Sequence, residues 1–443
     1  MNRRYAPLDR RMVLTGGAAM AAGFAIAGRA KAADIDVVII GAGAAGLAAG
    51  HALKAAGRSA VILEARGRVG GRAWTDTTLG PSYDAGAMYI HWAERNPWAT
   101  IARDLGVQTT SESWGGGFRA FADGNPMPAD DRRRRREAFR QIDRKLETAD
   151  ISSRDLSVAE LLGDLAPETA PVAASGLLLS IGEEADRISA RDYQRLWAGD
   201  DLLVPSGYGN LVARHAEGLD IRLNQPVEAI RWDGPRVSVT TPTGTIEARS
   251  CILTVPIGVL KAGTIRFTPA LPPATEAALA GLRMGALTKI ALKVVGDRFD
   301  IAPGTTLIES GKPEQLISFE MYPDGKDLVI GYCGGDFARR LSEAGPDAAR
   351  QHATDLLARM IGGDFRAAVK AVSFPAWWTD PFAKGSYSVC LPGHEAAREA
   401  LAQPIGGKLL IAGEATAGGG AMTVGGATLA GRAAAGTLLK LKA

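Results

Sequence analysis

Apolar residues along this chain follow two rhythms, and each predicts a kind of element. Mostly apolar runs at 36–40, 59–63, 251–256 and 409–415 predict short strands covered on both faces, as in a parallel sheet. Alternation over 221–232, 237–241 and 245–248, interrupted by Asp-Gly and Thr-Gly turns, predicts a small antiparallel meander. Phe139, Ile142 and Leu146 recur at helical spacing within 130–147 and predict an amphipathic helix. Further helices are predicted over 156–165 and 190–197, in a stretch to about residue 201 without strand alternation. Strand-like runs at 285–294, 315–321 and 327–332, a helix over 347–361 and a last helix beginning near Thr423 complete the pattern. Strands alternating with helices make the chain α/β.

The first apolar run feeds Gly41-Ala42-Gly43-Ala44-Ala45-Gly46, and residues 47–54 open a helix. Gly41 suits the tight turn, Gly43 a close approach to pyrophosphate, and Gly46 the packing of helix on strand. The second strand ends in Glu64, 18 residues beyond Gly46, where an acid meets ribose hydroxyls. Strand, turn, helix, strand and acid together predict a site for an ADP-containing dinucleotide. Immediately after it, Arg66-Gly67-Arg68-Val69-Gly70-Gly71-Arg72 suits a loop folding over phosphates, with arginine forks available to bind them.

Length and composition narrow the class. The 443 residues exceed one ordinary core and predict two joined domains. With 46% hydrophobic and 22% charged residues the composition is that of a soluble globular protein. A net charge of +3 is too small to argue for nucleic acid. Three cysteines without C-x-x-C spacing and five histidines without metal-ligand spacing argue against a metal site. Cys251 and Cys333 read as inert core thiols. At the N-terminus, Arg10-Arg11, an uncharged run over 15–28 and Ala30-Lys31-Ala32 predict a signal peptide over 1–32. It is of the twin-arginine type, which exports folded proteins, so the mature chain is expected in the periplasm. No other segment is expected to span a membrane.

Several stretches then fall into one pattern: the dinucleotide turn, Glu64-Ala65-Arg66, the Arg-x-Gly-Gly-Arg ending at Arg72, and Gly86-Ala87-Met88-Tyr89-Ile90-His91. Later come Gly207-Tyr208, Pro226-Val227, Trp377-Trp378-Thr379-Asp380-Pro381 and Gly385-Ser386-Tyr387-Ser388. Over nearly all of 33–443 the chain resembles the flavin-containing amine oxidases, which include polyamine oxidases, monoamine oxidases and lysine-specific histone demethylases. The resemblance implies a doubly wound, Rossmann-type FAD domain from 33–95, 205–270 and 385–443. It implies a mixed-sheet and helical substrate domain from 96–204 and 271–384.

The resemblance also implies roles. FAD is expected to be held by Gly41, Gly43, Gly46, Glu64, Arg66, Gly71, Arg72, Val227, Gly413, Glu414 and Val424. Val227 would hold the adenine edge through its backbone, and Glu414 would accept from a ribityl hydroxyl. The last helix would aim its N–H groups at the pyrimidine edge of the flavin. Lys289, which the residues alone present as a structural lysine, becomes the group that holds water at flavin N5. Tyr387 and Trp377 wall the catalytic pocket, and His91 lines the substrate tunnel or is a core histidine. Thr423 stands where monoamine oxidases place a second cage tyrosine. Ser386 stands where they bond flavin to cysteine, so the FAD is expected to be non-covalent. Two departures are notable: Trp92 follows His91 where the family has glycine, and Gly425 replaces the family's histidine.

The expected reaction is hydride transfer from the carbon beside an amine nitrogen to flavin N5, giving an imine that hydrolyses to an aldehyde or ketone. O2 or a redox carrier such as a cytochrome would reoxidise the flavin, and a homodimer is a further expected partnership. An L-amino-acid oxidase, or a carotenoid- or porphyrinogen-type oxidoreductase, remains open as an alternative. Glu183, Glu184, Asp186, Asp200 and Asp201 read as surface acids or as attractors of a cationic amine. The run Arg132 to Arg136 reads as a solvated helix face or as a patch for a membrane surface or acidic partner.

Overall fold

The computed structural model describes residues 34–111, 117–151, 154–166, 169–309 and 315–441, without the side chains of Asp131 and Arg132. The twin-arginine leader expected over 1–32 lies outside the described residues. Two large sheets organise the rest. In the first, strand β1 (Ile35–Ile40) lies parallel between β2 (Ala60–Leu63) and the strand Gly244–Leu253. Helix α1 (Ala44–Ala55) packs on the C-terminal helix Val424–Leu441. Val38, Ile39, Val61 and Ile62 are buried on both faces of this sheet, each stabilising it by roughly 1.5–3 kcal/mol relative to exposure.

The runs 245–248 and 251–256, expected to be separate strands, are one ten-residue strand. Its first half pairs antiparallel with Val237–Thr241, and its second half lies parallel to β1 and Leu409–Ile411. The apolar pattern changes because one face of the early half is solvated and both faces of the later half are covered. Ile221–Arg222 does not join the meander; it sits parallel to β2 at the sheet edge.

The second sheet runs Val369–Ser373, Leu287–Val294, Leu328–Gly334, Ser318–Met321, Thr305–Glu309, Phe118–Ala122 and Asn125–Pro126. Phe118–Ala122 is a strand in a stretch to which the sequence pattern assigns no element, and it pairs parallel with Thr305–Glu309. Helices cover the sheet: Pro346–Ile361 as predicted, and Gly335–Ala344, whose polar composition hides the buried face of Phe337, Ala338 and Leu341.

The helix Ala129–Thr148 forms, but its buried face is Ala138, Ile142 and Leu146, with Phe139 45% exposed. Arg133 pairs with Asp130, and Arg140 and Arg144 with Glu137, on the solvated side. The helix expected over 156–165 shortens to Val158–Leu162, begun by a Ser157–Glu160 capping box and stopped by Gly163 at φ +60°. Among the described residues no helix is long and apolar enough to cross a membrane.

Candidate active site

A cavity of about 710 Å³ runs from the turn after β1 to the junction of the two sheets. Every residue predicted for the site lines it except Gly46, which lies beneath the turn. A Cβ on Gly46 would stand 1.9 Å from the Gly41 carbonyl oxygen, so only glycine lets α1 leave the turn. A Cβ on Gly43 would meet no protein atom within 4 Å, which leaves open space where a ligand backbone can approach. Helix α1 has Gly43 at its N-cap, with no side-chain cap and no acid in its first turn. Its N–H groups and the positive end of its dipole therefore face the cavity, as an anionic pyrophosphate requires. Glu64 is buried beside them; its carboxylate accepts from Ala42 N and Arg66 N, both at 2.8 Å. Gln225 N donates to the Glu64 carbonyl at 2.8 Å, which brings Val227 to this end of the cavity.

The Arg-x-Gly-Gly-Arg loop closes over the turn: Gly70 N donates to Ala42 O at 2.9 Å, and Gly71 packs against Gly43. Its arginines differ from expectation. Arg66 holds Asp380 with both arms, at 2.9 and 2.5 Å, and stacks on Phe382. Arg72 donates to Ser386 O at 2.7 Å and to Glu414 Oε1 at 3.1 Å. The forks expected on phosphates thus brace the neighbouring loops, leaving phosphate recognition to backbone N–H groups. Glu414 departs similarly. Its oxygens accept from Arg72, Ser388 N, Ser388 Oγ at 2.6 Å and Met422 N at 3.2 Å, so protein donors occupy the carboxylate meant for a ribityl hydroxyl. Burial alone would raise its pKa, but Arg72, Arg398 and Ser388 outweigh it and hold the carboxyl below its ordinary value.

At the other end, Lys289 projects from the strand Leu287–Val294, opposite Tyr332. It is 6% exposed. Its Nζ donates to Asp84 O at 2.6 Å and Gly86 O at 2.9 Å, and lies 3.3 Å from Met88 Sδ. Burial lowers its pKa to about 8, against the opposing pull of Asp84 and Glu320. The carbonyls are aimed by their loop: the Asp84 carboxylate accepts from Tyr208 N and Gly209 N, and Gly86 has Arg72 O where a Cβ would be.

Trp377 donates to Ala85 O at 3.1 Å and meets Trp74 edge-on. Tyr387 donates its hydroxyl to Ser180 O at 2.7 Å, and burial raises its pKa, so it stays a neutral phenol. Thr423 is a helix cap: it accepts from Gly426 N at 2.9 Å and donates to Gly420 O at 2.8 Å. Val424 opens the last helix, which carries no acid in its first turn.

His91 stands half-exposed at the rim, not in the core. Its Nδ1 is 3.0 Å from both oxygens of Asp201; since a carboxylate only accepts, Nδ1 carries the proton. Tyr89–Ile90 pairs with Leu202–Leu203, which is why these two residues meet. Asp201 reads from the sequence as a surface acid or an attractor of a cationic amine; Met88 and Tyr332 are not predicted as site residues. Tyr332 and Asp201 carry no local signal, because strand pairing brings them to the site, and Met88 arrives with the loop whose Asp84 and Gly86 carbonyls hold Lys289.

The residues fit a flavin dinucleotide: an uncapped helix start, a glycine open to the cavity and a buried acid at one end, and an apolar wall with a buried lysine at the other. Comparison with known proteins agrees. The family model described as "Flavin containing amine oxidoreductase" matches residues 44–165 and 168–439. Polyamine oxidase 4 of Oryza sativa subsp. japonica is 29% identical over 441 residues, covering 92% of this chain and 89% of its own. The human lysine-specific histone demethylase 2 is 29% identical over 438 residues, covering 89% of this chain; the chain spans about half, 52%, of that relative's length. A putrescine oxidase structure with putrescine bound superposes with a TM-score of 0.76, covering 92% of this chain and 99% of its own at 20% identity, a likeness of fold. The chain belongs to the flavin-containing amine oxidoreductases, a family of flavin-dependent enzymes.

Proposed function

We propose that the chain is an FAD-dependent amine oxidase that removes a hydride from the carbon beside an amine nitrogen. The imine product then hydrolyses to an aldehyde or ketone. The observation that carries this reading is the single cavity in which the dinucleotide cradle leads to Lys289, Trp377 and Tyr387. When bound, the flavin supplies the acceptor for the two electrons and the hydride. The side chains do the rest. Trp377 and Tyr387 form an apolar wall that excludes water, selects the neutral amine and aligns its C–H bond. Tyr387 is not a base, because its proton is committed to Ser180 O. Lys289, with a pKa near 8, can hold or release a proton at Nζ beside the reacting end, where it assists imine hydrolysis and flavin reoxidation.

The cofactor is taken to be non-covalent, since none of the three cysteines lines the cavity and Ser386 Oγ accepts from Leu287 N at 3.0 Å. An L-amino-acid oxidase is less well supported: the arginines lining the cavity, Arg66 and Arg72, are paired with Asp380 and Glu414. Polyamines head the candidate substrates, as the names of the relatives suggest. The terminal acceptor is O2 or a redox carrier such as a cytochrome, in a periplasmic protein exported by the twin-arginine route. Anaerobic mixing of the flavin-loaded protein with polyamines, arylalkylamines, cyclic amines and L-amino acids tests the reading. Bleaching of the flavin absorbance by an amine is expected. A loaded protein that no amine bleaches would overturn the assignment in favour of a porphyrinogen or carotenoid substrate.

A further inference from the structure

We propose that Glu183 is a positioning residue for the amine pocket, setting the Tyr387 ring through the two backbone segments that hold it. The inference rests on the reading of Tyr387 as a pocket wall. Glu183 is completely buried. Its carboxylate accepts from Arg187 at 2.8 Å, from Arg283 Nε at 2.7 Å and from both arms of Arg339. Arg187 and Arg339 also hold Asp336, so three guanidinium groups converge on two carboxylates. None of these residues lines the cavity or touches the reacting atoms.

Tyr387 is anchored at two points. Its hydroxyl donates to Ser180 O at 2.7 Å, and its carbonyl accepts from Gly285 N at 2.8 Å. Ser180 stands three residues before Glu183, and Gly285 two after Arg283. The segments 180–183 and 283–286 are tied by one backbone bond, Ala286 N to Gly182 O at 2.8 Å, and by the ion pair of Glu183 with Arg283. Gly182 sits at φ +67°, and a Cβ there would press on Ala286 at 3.1 Å, so the two segments are in close contact. The Glu183 cluster therefore fixes the separation of the two anchors, and with it the tilt of the ring. Removing the carboxylate leaves the buried Arg339 and the partly buried Arg187 and Arg283 close together, with Asp336 holding only Arg187 and Arg339, and their repulsion acts directly on this joint.

The test is a double-mutant cycle of Glu183→Gln and Tyr387→Phe in the flavin-loaded protein. It reads the rate of anaerobic flavin reduction at saturating amine and the visible circular dichroism of the bound flavin, which reports the walls around the ring. Glu183→Gln is expected to slow reduction about tenfold, on the scale of one ordering hydrogen bond, and to change the dichroism. In the Tyr387→Phe background, which already lacks the bond to Ser180, it is expected to add little to either. Arg283→Lys, which keeps the charge but loses the Nε donor, serves if Glu183→Gln does not fold, and the same non-additivity is expected. Reduction at the wild-type rate, or losses that multiply independently with those of Tyr387→Phe, would overturn the proposal. Wild-type protein that no amine bleaches would instead reject the oxidase reading, while the dichroism cycle still tests the positioning.

Discussion

Trp92 fills the space beside Gly425: a Cβ placed on Gly425 would lie 2.6 Å from Trp92 Cη2. Both positions are departures within the motifs that carry the resemblance, with tryptophan where glycine is expected and glycine where histidine is expected. Separated by most of the sequence, they form one exchange of bulk at the start of the last helix. Trp92 is buried, carries φ +43°, and packs edge-on against Trp197. The side chain is retained there despite a backbone conformation that favours glycine.

That exchange predicts coupling. Gly425→Ala is expected to destabilise by about 1–3 kcal/mol, the usual cost of overpacking. In a Trp92→Gly background the cost should shrink by at least about 0.5 kcal/mol, though not vanish, because Asn96 also faces the new methyl. Denaturant unfolding of the four proteins measures the coupling, and strictly additive losses would contradict the relationship.

Gly43 and Gly46 should separate binding from folding. Gly43→Ala meets no protein atom, so the apoprotein should unfold at the wild-type denaturant concentration while flavin affinity falls by about tenfold or more, through the lost phosphate approach. Gly46→Ala collides with the Gly41 carbonyl and should destabilise the protein itself. Flavin titration and denaturant unfolding of both apoproteins would tell the cases apart.

Lys289 gives a signed pH dependence. Its folded pKa is about 8 against a reference of 10.5, so between those values the unfolded chain binds the extra proton. Stability should therefore rise as pH increases through that window, and Lys289→Met should flatten the rise. The same substitution should remove any limb near pH 8 from the turnover profile and slow the step served by the ammonium by about 100-fold. Unfolding curves at several pH values and saturating-amine turnover provide the check. An identical pH slope in the variant would place the titration elsewhere.

Ser386 predicts a releasable cofactor. Precipitating the protein in acid should leave all the flavin absorbance in the supernatant, since no cysteine lines the cavity. Yellow colour retained in the washed pellet would show a covalent bond.

The sequence by itself determined the dinucleotide end and the family pattern. The turn of Gly41, Gly43 and Gly46, the buried strands beside it and Glu64 are local features, whose chemistry depends on backbone conformation within a few residues. The Trp377 and Tyr387 stretch was equally legible as a motif. Only the tertiary structure decided what the charged groups do. Arg66 meets Asp380 across 314 residues, Arg72 meets Glu414 across 342, Lys289 meets Asp84 across 205 and His91 meets Asp201 across 110. A charge takes its role from whichever partner burial leaves beside it. Strand order and the folding of loops over the turn select that partner, and no local spacing encodes them. For the same reason the strand Gly244–Leu253 looked like two: its pattern changes where its neighbours change, and neighbours belong to the fold.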